Sequence, residues 1–306
     1  MQTISIQKRS ITKLSADIIV NAANERLMQG GGVCGYIFQA AGAKKLQEAC
    51  NEIGHCPTGS AVITPGFDLC RYIVHAVGPV WHGGDHHEPQ LLYEAYKKSL
   101  DLAKEKNCHS IGFPLISAGL FGYPSDKAWR KAIQAVHDWF EDNKDYDIDV
   151  VFAVIDDKIL DQGRDTAIEI MRAYYRVSRS DWMRFDMPDK RDHFILNRPF
   201  TKEQIDVLRM GHIPQEMEDK WFWYMEGKKL YLHRSWTGFC IYIIELKDDG
   251  NHSVTVSRDP EQFSSTDIDN DRENLNTLLD FMVLPSYDYY HQWLDETAKT
   301  LEKQQQ

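Results

Sequence analysis

The amino-acid sequence predicts a layered α/β domain followed by a smaller α+β domain with an antiparallel meander, and three observations carry that prediction. Short apolar runs alternate with helical patterns through the first part of the chain, as in α/β folds. The polar, charged stretch SRSDWMRFDMPDKRD (178–192) then interrupts the pattern without periodicity of its own. After it, a segment rich in Trp, Tyr and Ile alternates with period two between turn signals. A chain of 306 residues is long enough for two ordinary domains. The expected division is 1–178 for the first domain, 179–192 for a linker and 193–306 for the second.

In order, the strands expected in the first domain are TISIQ, ADIIVNAAN, SAVITPG, YIVHAVG, SIGFPLIS and DVVFAVI. Helical patterns lie between them at 35–53, 88–106, 124–141 and 157–175. In the second of these, Leu91, Leu92, Ala95, Tyr96, Leu100 and Ala103 fall near one face. In the second domain, Thr201 followed by Gln204 has the form of a helix-capping box. The run from Lys220 to Asp259 reads as a meander turning at Glu226-Gly227 and at Asp249-Gly250-Asn251. Helical patterns at 270–283 and 287–304 follow, and the lysine- and glutamine-rich last residues are expected to fray.

Composition narrows the function classes. With 42% hydrophobic and 26% charged residues the chain has the make-up of a soluble globular protein, and no apolar run reaches membrane-spanning length. Its first residues lack the apolar core of a signal peptide, so a cytoplasmic location is expected, with no membrane partner. The six cysteines are scattered without a C-x-x-C pair and read as reduced thiols. Residues 1–178 carry 19 Lys and Arg against 22 Asp and Glu, and residues 179–306 carry 16 against 24. Neither half offers the basic stripe of a nonspecific nucleic-acid binder, so nucleic acid is not an expected partner. A local anion site is compatible with this balance, because backbone amides hold phosphates without lysines.

Two glycine loops suggest such a site. The apolar strand ending in Asn21-Ala22-Ala23-Asn24 leads into Gly30, Gly31 and Gly32 and then a helix. A plain turn needs one glycine; three let the backbone approach a ligand and aim N–H groups at it. The second loop, Ser117 to Pro124, also joins a strand to a helix. Two such loops at the carboxyl ends of strands in one sheet can line a single crevice that holds a phosphate-containing ligand.

The combination D-I-I-V-N-A-A-N, G-G-G-V-x-G, V-H-A-V-G-P and P-L-I-S-A-G-L-F-G-Y-P resembles the macrodomain family over about residues 1–176, and VGPVWHGG at 77–84 fits its bacterial stand-alone members. The resemblance implies a three-layer α/β/α fold with a mixed sheet, ADP-ribose or an ADP-ribosylated protein as partner, and no metal or redox cofactor. It also implies roles. Asp17 would accept a hydrogen bond from the adenine amine, with Ile18 beside it. Gly31, Gly32 and Val33 would wrap the distal ribose and diphosphate. Ser117, Ala118, Gly119, Leu120 and Phe121 would form the second phosphate loop, with Phe121 against the distal ribose. Asn24 would hydrogen-bond that ribose next to the scissile bond, and Asn21 would support the loop from behind.

One position departs from the pattern. Many hydrolytic members carry an aspartate where this chain has Cys34, and a thiol with an ordinary pKa near ~8.5 is a poor substitute for a carboxylate base. Cys34 is a candidate catalytic residue by position; its alternative is a small apolar side chain under the ribose. Water can also be oriented by loop carbonyls and the substrate's own phosphate. The expected function is therefore binding of ADP-ribose and hydrolysis of esters to it, from a mono-ADP-ribosylated protein or O-acetyl-ADP-ribose. The alternative is a non-catalytic ADP-ribose reader with the second domain as effector. A third reading is action on ADP-ribosylated nucleic acid, which the acidic balance disfavours.

Other candidates have simpler expectations. His75 reads as a hydrogen-bonded core histidine, and His82, Asp85, His86 and His87 as a solvated loop rather than a metal site. Trp129 and Trp139 read as packing aromatics. In the second domain His233, Arg234, Ser235, Trp236 and Thr237 gather a cation, hydroxyls and an indole, a possible phosphate- or base-binding group.

Overall fold

The computed structural model describes residues 1–214 and 219–283, so the helical pattern expected at 287–304 lies outside the described residues. The chain divides into two compact units, Met1–Tyr175 and Arg176–Gln306, each with its own sheet. Among the described residues no helix is long and apolar enough to cross a membrane.

The first unit is built on six strands: β1 (Gln2–Lys8), β2 (Ile18–Ala22), β3 (Ser60–Pro65), β4 (Tyr72–Val77), β5 (Ser110–Phe113) and β6 (Ile148–Val154). They lie in the order β1-β6-β5-β2-β4-β3, all parallel except β3, which runs antiparallel to β4. A parallel strand covered on both faces must be apolar throughout. Accordingly Ile18, Ile19 and Val20 of β2 are fully buried.

Five helices complete the three layers: α1 (Gly32–Ala41), α2 (Ala43–Ile53), α3 (Glu88–Glu105), α4 (Ser125–Asp142) and α5 (Asp157–Met171). The stretch 35–53, expected as one helix, is two. Gly42, at φ 89°, closes α1 and opens α2, and the left-handed backbone that glycine permits ends the first helix. Ile19 and Val151 face α1 and α2, packing with Phe38, Leu46 and Cys50. The opposite face carries α3, α4 and α5 over an aromatic cluster, in which Phe113 lies 5.3 Å from Tyr96 and 5.4 Å from Phe152, and Trp129 5.1 Å from Phe152. Trp129 and Trp139 are both buried, and their indole N–H groups donate to Ile159 O and Asp101 Oδ1.

The second unit contains β7 (Arg191–Asn197), α6 (Lys202–Met210), β8 (Trp221–Glu226), β9 (Lys229–Arg234), β10 (Cys240–Glu245), β11 (Asn251–Ser257) and α7 (Ile268–Met282). Its sheet is antiparallel throughout, in the order β7-β11-β10-β9-β8. β8 to β11 form the expected meander, turning at Gly227 and Gly250. β7 is an added edge strand that the sequence hides, because its inward residues Phe194 and Leu196 are only two and charged residues precede them. Residues 179–190 form no helix or strand, yet Phe185 N–H donates to Gly238 O at 2.8 Å, and Arg191 and Asp192 already belong to β7. The Thr201 capping box is present in both directions. Leu208 of α6 and Leu275, Leu279 and Met282 of α7 enter the core of the sheet. Arg258, 2.7 Å from both Asp192 and the fully buried Asp271, ties β7 and α7 to the end of β11.

Candidate functional site

β2 lies between β5 and β4, both parallel to it, so the segments that follow these three strands leave the sheet at one end. α1 and α2, after β2, lie on one face, whereas α3 and α4, after β4 and β5, lie on the other. A crevice opens at the carboxyl ends of strands where crossovers part in this way.

The segment after β2 keeps one last sheet bond, Ala23 N–H to Ala76 O at 2.9 Å, and then turns back with Leu27 N–H on Asn24 O. The Asn24 side chain holds that turn. Its Nδ2 donates to Met28 O at 2.7 Å and its Oδ1 accepts from Met28 N–H at 3.2 Å. A primary amide has a second N–H and a second lone pair, and those remain for a ligand. α1 begins with Gly31 as N-cap and no side-chain cap, and the N–H groups of Gly31, Gly32 and Val33 have no acceptor among the described residues. Gly35 lets the loop lie against the helix, since a Cβ there would come within 2.9 Å of Gly30 O.

Cys34 sits in the first turn of α1, buried, and its sulfur accepts from Gly30 N–H at 3.4 Å. This is the structural half of what a carboxylate does at that helix position, accepting a loop N–H without bringing a charge. Beneath the loop, Asn21 is buried with Nδ2 3.2 Å from His75 Nδ1. An amide nitrogen only donates, so Nδ1 is the acceptor and Nε2–H faces Thr64 Oγ1 at 3.0 Å. Burial pushes the His75 pKa down to about 4, so this histidine is a neutral core group.

The segment after β5 holds Ser117 at φ 66°, a left-handed conformation that costs a non-glycine residue energy, with its hydroxyl buried and unpartnered. Tyr123 N–H closes back on Ser117 O at 3.0 Å, and Gly122 N–H on Gly119 O at 2.9 Å. The N–H groups of Gly119, Leu120 and Phe121 have no acceptor among the described residues. Ala118 N–H donates to Leu115 O at 3.4 Å. Gly78, just past β4, permits this packing: a Cβ there would fall 2.2 Å from Ser117 Oγ and 2.5 Å from Ile116 Cγ2. Trp81 N–H donates to Phe121 O at 2.8 Å, tying the third segment to the second. Leu120 is 86% exposed and its Cδ1 lies 3.8 Å from where a Gly31 Cβ would stand, so the two glycine loops face each other.

Between these segments lies a cavity of about 390 Å³ lined by Asn24, Glu25, Arg26, Thr58, Val77, Gly78, Val80 and Phe121. Asn24 and Phe121, far apart in sequence, are thus brought together. Glu25, Arg26, Thr58 and Val80 were not anticipated. For Glu25 and Arg26 the available signal was adjacency to Asn24; Thr58 carries none, because it arrives through tertiary contact. Glu25 Oε1 accepts from Thr58 N–H at 3.0 Å and from Thr58 Oγ1 at 2.8 Å, and Glu25 O accepts from Cys56 N–H.

The structure does not bring Asp17 and Ile18 to these loops. They stand at the start of β2, the opposite end of the strand from Asn24. Asp17 Oδ2 accepts from His109 N–H and Ser110 Oγ at 2.9 and 3.0 Å, bracing the start of β5, and Ile18 is fully buried. At the loop end of the sheet the neighbours beyond β5 are β6 and β1. There Ile155 is 77% exposed, and Ser10 Oγ lies 3.0 Å from Thr12 Oγ1.

The remaining candidates lie apart from this cavity's lining. Glu88 accepts from the backbone N–H groups of His82, Gly84 and His86, so the histidine loop is organised around a carboxylate. Among the described residues no group of three or more His, Cys, Asp or Glu is placed to hold a metal. In the second unit Arg234 stacks on Trp221 at 4.2 Å, His233 is buried with Nδ1–H on Gly238 O, and Trp236 points outward, 65% exposed.

Comparison with known proteins falls on the first unit. A family model described as the macro domain matches residues 20–132. The chain is 48% identical over 155 residues, 50% of its length and 89% of the relative's, to a macro domain-containing protein of Chlorobaculum tepidum. It is 51% identical over 131 residues, 41% of its length and 74% of the relative's, to a Klebsiella pneumoniae protein named O-acetyl-ADP-ribose deacetylase. The solved Oceanobacillus iheyensis macrodomain with ADP superposes with a TM-score of 0.51 at 36% identity, covering 55% of this chain and 91% of that one.

Proposed function

The chain belongs to the macrodomain family, and from that premise we propose that its first unit binds ADP-ribose and hydrolyses ester linkages to it, on a mono-ADP-ribosylated protein or on O-acetyl-ADP-ribose. The observation that carries this reading is the facing pair of loops, whose unpartnered N–H groups border the cavity of Asn24 and Phe121. A diphosphate is the ligand part such donors suit, since it accepts many hydrogen bonds and its charge is favoured at a helix start. The ADP bound to the Oceanobacillus protein supports the same assignment. Gly31, Gly32 and Val33 would take one side of the diphosphate, and Ser117 to Phe121 the other. The distal ribose would then enter the cavity, against the Phe121 ring and the free N–H of Asn24. The nucleoside end would run along the sheet end toward Ile155 and Ser10 rather than Asp17. Holding the ester carbon against a fixed water lowers the barrier by orientation and electrostatics.

A reader without catalysis is the second reading, and Cys34 favours it: the usual carboxylate is absent and the thiol is committed to Gly30. The deciding measurement is release of free ADP-ribose from a protein mono-ADP-ribosylated on glutamate. Wild type should release it, and Asn24→Ala should be slower by ~100-fold, the scale of removing one positioned donor. Binding without release in wild type, with release gained in Cys34→Asp, would overturn the hydrolase in favour of the reader.

A further inference from the structure

The cavity contains a carboxylate that the sequence motif does not supply. Of its eight lining residues only Glu25 is acidic, and it adjoins Asn24 in the chain. Its main chain is held by Cys56 N–H on Glu25 O at 2.9 Å. Its side chain is held by two donors from Thr58, the N–H at 3.0 Å and the hydroxyl at 2.8 Å, both on Oε1. Oε2 takes part in neither bond. An exposed glutamate normally samples many rotamers, so two bonds to one oxygen amount to preorganisation. Cys34, by contrast, is buried and its sulfur already accepts a loop N–H.

We infer that Glu25 is the group that positions the hydrolytic water in this chain, in place of the carboxylate that is missing at Cys34. This rests on the hydrolase reading above. Oε2 accepts a hydrogen bond from the water and turns its lone pair toward the carbon of the ester linkage. The water oxygen bonds to that carbon, the carbon–oxygen bond breaks, and its electron pair stays on the departing oxygen. The proton shed by the water leaves through Oε2 to the departing oxygen or to solvent. The Thr58 hydroxyl, then the Thr58 N–H and the charge of His55, hold the Glu25 pKa below its ordinary value of 4.5. Glu25 is therefore an ionised orienting group at neutral pH more than a strong base. Thr58 thereby becomes a positioning residue acting through Glu25.

The test uses the full chain and the same glutamate-ADP-ribosylated protein, with the affinity for free ADP-ribose measured alongside. Gln at position 25 keeps an oxygen for Thr58 but loses the charge. Glu25→Gln should lower kcat by ~10- to 100-fold and change ADP-ribose affinity by less than about twofold. Glu25→Ala should lose as much and regain activity with added formate, which a merely structural role would not do. Thr58→Val, which removes the hydroxyl bond to Oε1 and leaves the N–H bond, should cost ~3- to 10-fold in kcat. Unchanged kcat in Glu25→Gln, or no rescue of Glu25→Ala by formate, overturns the role of Glu25 while leaving the hydrolase standing. Wild type that binds ADP-ribose and releases none overturns both.

Discussion

In the first unit neighbouring strands run parallel, so the segments after β2, β4 and β5 leave one end of the sheet together and their backbone groups meet around a cavity. In the second unit every pairing is antiparallel, and the turns of the β8 to β11 meander alternate between the two ends. The consequence shows in where polar groups go. The first unit leaves a row of N–H groups at Gly31 to Val33 and Gly119 to Phe121 without acceptors among the described residues. The second pairs several of its polar groups with one another: Arg258 on Asp192 and Asp271, Trp182 Nε1–H on Ser235 O, His233 Nδ1–H on Gly238 O. Parallel topology gathers unpaired donors at one end, and antiparallel topology scatters them. A crevice bordered by unpartnered amides is accordingly legible in the first unit.

The largest expected effect breaks the second unit without touching the first. Asp271→Ala leaves Arg258, only 11% exposed, with one of its two carboxylates. Breaking a buried ion pair from one side costs about 3 kcal/mol or more. Urea unfolding should show that loss, and titration with ADP-ribose should show unchanged affinity. A matching loss of affinity would mean that the two units are not functionally separate.

A pH experiment sharpens the comparison, because among the described residues the first unit buries one histidine, His75, and the second buries two, His233 and His252, and burial lowers the pKa of all three. Burial pushes both His75 and His233 down to about 4. Above pH 6.5 the His75 ring is neutral folded or unfolded and contributes no pH dependence. As the pH falls from 6.5 toward 4, the unfolded chain takes up the proton that the buried ring refuses, so stability falls. The full loss for His75 is about 3 kcal/mol. His75→Gln should remove that acid-side loss and leave the part due to His233 and His252, measured as unfolding midpoints across this range. An unchanged acid slope would mean that His75 is not a neutral core group.

The smallest effect separates the two ends of β2. Ile155→Asp should weaken ADP-ribose binding by ~10-fold, by placing charge where a base would lie on an apolar side chain. Asp17→Asn should leave affinity within about twofold and lower stability by about 1 kcal/mol, the worth of a strand-bracing hydrogen bond. A tenfold affinity loss in Asp17→Asn instead would restore the adenine role that the motif suggested.

Much of this was readable in the sequence because the signals are local. Unbroken apolar runs such as Ile18-Ile19-Val20 mark strands buried on both faces, and alternation between Gly227 and Gly250 marks a meander. The capping box at Thr201 needs only four consecutive residues. Gly42 was missed as a break because glycine inside a helical pattern is ambiguous until its φ is known. The edge strand β7 was missed because one inward face of two residues is too short to show a period.

The sequence by itself determined the fold of the first unit, the two glycine loops and the absence of a carboxylate at Cys34, since each is a matter of residue type at short spacing. Tertiary structure alone decided which end of the sheet carries the proposed ligand site. A strand has two ends, and only the parallel order β5-β2-β4 puts Asn24 and Phe121 on the same one while leaving Asp17 on the other. It also decided that Glu25 is a fixed group, because the two donors that hold it come from Thr58, which no local pattern links to it. Spacing along the chain sets local conformation, but the direction of a strand and the partner of a side chain exist only once the chain has packed.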